Sequence, residues 1–93
     1  MFLFYAVHYP NPEKEELIIQ SMYEFSELIK KQPGLIFVNP YPFRDTENGT
    51  LIGIAIWESQ EAFHTALPAL ENSFPSEEWE IKPREVYMVN AVA

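Results

Sequence analysis

Cysteine is absent from all 93 residues, and that one lack removes disulfides, thiolate metal sites and cysteine nucleophiles together. Basic residues are scarce. Six Lys and Arg stand against 14 Asp and Glu, a formal net charge of −8. Phosphate backbones and anionic lipid surfaces repel such a chain, so neither nucleic acid nor a membrane is an expected partner. No apolar run approaches the ~20 residues that span a bilayer. Met1-Phe2-Leu3-Phe4 has none of the basic character of a signal segment and reads as the start of a strand, which points to the cytoplasm. No repeat, low-complexity tract or linker interrupts residues 1–93, which read as a single domain. What is abundant is apolar: 47% hydrophobic and 15% aromatic residues. A chain this short buries about 60–70% of its unfolded surface. So much apolar material exceeds one small core, and part of it is expected in a subunit interface.

Phe2 to Tyr9, rich in aromatic and β-branched residues and stopped by Pro10, reads as a first strand. Asn11 can cap a helix, Pro12 suits its first position and Glu13 favours its positive end. Ile18, Met22, Phe25 and Ile29 then recur on one helical face up to about Lys31, where Pro33-Gly34 ends the run. Leu35 to Arg44 reads as one strand, joined through an Asn48-Gly49 type I′ turn to Leu51–Trp57. That register sets Arg44 opposite Gly53. It also points the missing amides of Pro40 and Pro42 away from the neighbouring strand, so Leu35 to Arg44 is a sheet edge. Ser59 caps a second helix with Ala62, Phe63, Ala66 and Leu67 on one face, which Pro68 breaks or restarts. Residues 74–82 are irregular, and Glu85 to Val92 closes the chain as a strand. The order β-α-β-β-α-β is the ferredoxin-like α+β arrangement with an antiparallel sheet.

Two strands are apolar on both faces. Ile52, Ile54 and Ile56 oppose Leu51, Gly53, Ala55 and Trp57, and the last strand sets Tyr87 and Val89 against Val86 and Met88. Two helices cover one face of such a sheet, and a wet second face would alternate cleanly with polar residues. The pattern therefore implies a homodimer packed through the open sheet face.

The stretch Leu51 to Phe63, LIGIAIWESQEAF, joins a wholly apolar strand to a helix through Trp57-Glu58-Ser59. With Pro33-Gly34-Leu35 and the W-x-S-x-x-A-F pattern of Trp57, Ser59, Ala62 and Phe63, the chain resembles the antibiotic-biosynthesis-monooxygenase-like family of dimeric α+β barrels. The resemblance implies a cofactor-independent monooxygenase acting on a small aromatic, quinol-type substrate between sheet and helices. It also implies that Trp57 lines that cavity; the plain physical reading is a core residue. Ala6 stands where several relatives carry an Asn on the first strand, and His8 is the polar residue one step along the same face. His8 is either a general base near neutral pH or a half-exposed residue bonded to a loop.

The catalytic candidates are thus His8 and Trp57, and the substrate-binding candidates are Phe4, Phe25, Arg44 and Phe63. Arg44 could clamp an anionic oxygen, although a hairpin tip is commonly solvated. Tyr5, Tyr41 and Tyr87 are mainly packing residues by type. His64 falls on the flank of the second helix. The haem-degrading branch of the family uses a later His in this region, and residues 65–82 contain none, so no haem is expected. Two isolated histidines give no metal-site spacing, and no other cofactor is implied. The competing reading is a non-catalytic homodimer that binds a small apolar ligand or a protein partner.

Overall fold

The computed structural model describes residues 1–92. Five strands and two α-helices follow one another as β1 (Phe2–His8), α1 (Glu15–Ile29), β2 (Leu35–Val38), β3 (Phe43–Arg44), β4 (Leu51–Trp57), α2 (Gln60–Leu70) and β5 (Glu85–Asn90). The sheet runs β2-β4-β1-β5, with β3 also on β4 and every pairing antiparallel. This is the expected ferredoxin-like α+β architecture. In the centre, Phe2 faces Trp57, Ala6 faces Gly53 and His8 faces Leu51. The side-chain period of two then puts Phe2, Phe4, Ala6 and His8 on the helix side with Leu51, Gly53, Ala55 and Trp57.

Helix α1 begins later than its sequence signals. Asn11 Oδ1 accepts the Glu13 amide at 3.1 Å and stabilises a turn, and the helix starts at Glu15. Ile18, Met22, Ser26 and Ile29 are its buried face. Gly34, at φ 89°, then reverses the chain. A Cβ there would lie 2.6 Å from that of Ala62, so both backbone conformation and helix contact require glycine. Helix α2 is capped by Ser59 Oγ, which accepts the Ala62 amide at 3.1 Å. It runs through Pro68 rather than stopping there. The proline costs one intrahelical bond, and fully buried Leu70 holds the last turn down.

The edge hairpin departs from the expected register by two residues. Arg44 faces Leu51 and Phe43 faces Ile52, not Gly53 and Ile54. No non-glycine residue among those described has positive φ, so Asn48 cannot occupy a type I′ turn. Instead Asp45 organises a longer loop: its carboxylate accepts the amides of Glu47 and Asn48 and the Asn48 side chain. Those donors, the Glu47 amide foremost, hold the Asp45 carboxyl below its ordinary 3.8. Asn39 keeps one backbone bond to Ile54 O at 3.2 Å, but residues 40–42 leave the ladder, so the single strand expected from 35 to 44 is two. Asn39 bridges the break. Its side chain accepts the Ile54 amide at 2.8 Å and donates to Ile52 O at 3.1 Å and Tyr41 O at 2.8 Å. A buried side-chain amide thereby replaces a rung of backbone bonds, and Pro40 and Pro42 sit where no rung is needed. As read from the sequence, β2 is an edge.

The interior holds two apolar clusters. Phe2, Ile29, Ala55, Trp57, Phe63, Ala66 and Leu70 form the larger, and Ile18, Met22 and Leu51 the smaller. The opposite sheet face carries Leu3, Tyr5, Val7, Ile52, Ile54 and Ile56, all half-buried, with no helix over it among the described residues. Phe43 and Tyr87 on the same face are more than 40% exposed. Among the described residues no helix is long and apolar enough to cross a membrane.

Candidate functional site

Between the two clusters lies a cavity of about 460 Å³, within the size range of small-molecule sites. Strand β1 contributes Phe4, Ala6 and His8; α1 contributes Met22, Phe25 and Ser26; α2 contributes Phe63 and Leu67. Gly53 leaves the floor low: a Cβ there would sit 3.2 Å from Met22 Cε. Phe63 is the best-supported wall. It stacks on Phe4 with ring centroids 5.2 Å apart and meets the edge of Trp57 at 5.8 Å. The exposed residues of the lining, His64, Glu71, Phe74, Val86 and Met88, form the rim.

Polar groups gather at one pole. His8 Nδ1 lies 3.3 Å from Glu80 Oε2, and the Glu80 side chain is only 1% exposed. The same carboxylate accepts the Tyr9 amide at 2.9 Å and the Arg84 guanidinium at 2.7 Å. Arg84 in turn donates to Pro75 O at 2.5 Å, and its Nε has no partner among the described residues. Ser26 Oγ, another lining group, is likewise unpartnered. Burial depresses the His8 pKa below its ordinary 6.5, and nearby Arg84 adds to this; attraction to Glu80 opposes the shift without overcoming it. The imidazole is therefore neutral at neutral pH. With Nδ1 facing a carboxylate, the proton belongs on Nδ1 and Nε2 is the free lone pair.

Four of the six sequence candidates converge here: His8, Phe4, Phe25 and Phe63 all line the cavity. Trp57 and Arg44 do not. Trp57 is fully buried in the larger cluster, backing Phe63, and its indole Nε1 has no partner among the described residues. Arg44 pairs with the Glu15 carboxylate at the hairpin tip, because the two-residue register difference carries it away from Gly53. Glu80 and Arg84 were not singled out by sequence reasoning. They sit in residues 71–84, where neither helical nor strand periodicity exists, and their spacing of four is the one local signal. Among the described residues no cluster of three or more His, Asp or Glu could hold a metal ion.

No protein-family model and no curated protein matches the sequence. Solved structures do match. Rv0793 from Mycobacterium tuberculosis superposes with a TM-score of 0.84 at 15% identity, over 99% of this chain and 95% of that one. A protein described as an antibiotic biosynthesis monooxygenase gives 0.75 at 16% identity, over the whole of both chains. The chain has their fold. SnoaB, a cofactor-independent oxygenase from Streptomyces nogalater, gives 0.74 at 18% identity over 97% of this chain and 91% of that one. The resemblance read from Trp57, Ser59, Ala62 and Phe63 thus agrees with a monooxygenase-like fold along nearly the entire chain.

Proposed function

We propose that this chain is a cofactor-independent monooxygenase for a small aromatic, quinol-type substrate bound between sheet and helices. The observation that carries this reading is an apolar cavity of about 460 Å³ with a buried, carboxylate-oriented His8 at one pole. Phe4, Phe25 and Phe63 sandwich a flat ring, and His8 takes a proton from its hydroxyl. The resulting anion is electron-rich enough to reduce O₂ itself. One oxygen atom enters the substrate and the other leaves as water, with the electrons drawn from the substrate. The protein supplies a dry site, a base and orientation. Trp57 has no direct part and instead fixes the Phe63 wall. Arg44 is a surface residue in this scheme, and the reaction is placed in the cytoplasm.

Oxygen uptake in the presence of a dihydroxynaphthalene tests the reading. The expected result is uptake above the buffer rate that falls at least about a hundredfold in His8→Gln, the usual scale for losing a general base. Uptake equal to buffer, or indifferent to His8→Gln, would overturn it. A second reading, a homodimer that binds an apolar ligand without turnover, is favoured by the few polar groups in the lining. Binding of the naphthalene compound without oxygen uptake would select it. Both readings share a second copy of the chain over the bare sheet face.

A further inference from the structure

Glu80 is the most deeply buried carboxylate of the polar pole, its side chain 1% exposed, and its own side chain is not the only tie between its segment and β1. Residues 79–81 are already pinned to the end of β1 by backbone bonds: the Asn11 amide donates to Trp79 O and the Ile81 amide to Tyr9 O, each at 2.9 Å. Burying an ion pair is a poor way to add stability, since desolvation offsets most of the attraction. Arg84 nonetheless pairs with Glu80 at 2.7 Å, on the oxygen that also faces the imidazole. Glu80 Oε1 is held by the Tyr9 amide, so the carboxylate plane is fixed on two sides before it meets His8. The Nε2 atom has no partner among the described residues, and the ring lines the cavity.

We propose that Glu80 is a positioning residue that locks His8 as the Nδ1–H tautomer and presents Nε2 to the cavity as acceptor for a ligand hydroxyl of phenolic or enolic acidity. The proposal rests on the reading of the cavity as a ligand site and names the class of ligand it selects. On proton transfer the ligand O–H bond breaks and an N–H bond forms at Nε2. The electron pair stays on the ligand oxygen, and the imidazolium formed lies against Glu80. Nothing is oxidised in this step. His8 is a weak base because it is buried, so an aliphatic alcohol is too poor an acid to transfer its proton. A carboxylic acid arrives already ionised and meets a lone pair instead of a donor. The groups facing His8 are Glu80 and Arg84, with His64 and Glu71 at the rim.

Two measurements without O₂ separate this proposal from the oxygenase reading. Nitrogen-15 NMR of the free wild-type protein should show His8 with a protonated Nδ1 and an unprotonated Nε2. The proton on Nε2 instead would overturn the proposal whether or not any variant folds. Binding of 4-nitrophenol and its ether 4-nitroanisole is then followed by absorbance. Bound nitrophenol should ionise about one pH unit below free nitrophenol, a tenfold effect. In Glu80→Gln that shift should vanish while nitroanisole affinity is unchanged. A Glu80→Gln protein that keeps the wild-type shift would overturn the proposal. Absence of oxygen uptake with both results intact would sink only the oxygenase reading.

Discussion

His8 stands 3.3 Å from a carboxylate and still titrates below 6.5, because losing water costs the imidazolium more than Glu80 returns. Its folded pKa is depressed. Between that value and 6.5 the unfolded chain therefore binds a proton that the folded chain does not. Stability that is full above 6.5 is lost as the pH falls through this window. Urea midpoints measured across it should drop with acid in the wild type and drop less in His8→Gln; equal slopes would contradict the assignment. Gly34 makes a simpler case. With φ at 89° and Ala62 Cβ 2.6 Å from any added methyl, Gly34→Ala should cost roughly 2 kcal/mol or more, read from the same urea curves. Both residues were legible in the sequence, His8 from strand parity and Gly34 from Pro33-Gly34 after a helix. Glu80 was not, because its role depends on a pairing 72 positions away and on a segment without periodicity.

At the scale of elements, β1, β4 and both helices were readable because their apolar spacing is strong, whereas the β2–β3 edge was only half readable. Asn48-Gly49 suggested a two-residue turn. The competing signal was Asp45, whose carboxylate draws in the following amides and builds a longer loop. The two-residue shift preserves side-chain parity, so the faces came out right while Arg44 moved off the site. Asn39 is the element-scale weak point. It is 5% exposed and carries three bonds that tie the break between β2 and β3 to itself and to β4. Asn39→Ala strands the Ile54 amide and the Ile52 carbonyl. The expected cost is about 2–3 kcal/mol, with faster hydrogen exchange at Ile54. Unaltered exchange there would show that the bridge is dispensable.

The whole molecule has a core on one side of its sheet and half-buried to exposed aliphatic and aromatic residues on the other. Leu3, Tyr5, Ile52, Ile54 and Ile56 gain nothing from the helices, which is why sequence alternation alone implied a second copy. A stable interface needs about 800 Å² from each partner, and this face is the broad apolar surface from which to draw it. Sedimentation at micromolar concentration should find the wild type dimeric and Ile54→Asp monomeric; a monomeric wild type would remove the dimer. The fold match reaches across nearly all of the chain, and a shared fold alone does not say what the polar pole binds. What binds there is decided most directly by a crystal structure grown with 4-nitrophenol. The expected result places its ring against Phe63 and Phe25, with its oxygen within hydrogen-bonding distance of His8 Nε2. A cavity left empty at saturating ligand, or a ligand whose oxygen turns toward the rim at Glu71 and Met88, would contradict the central role given to His8.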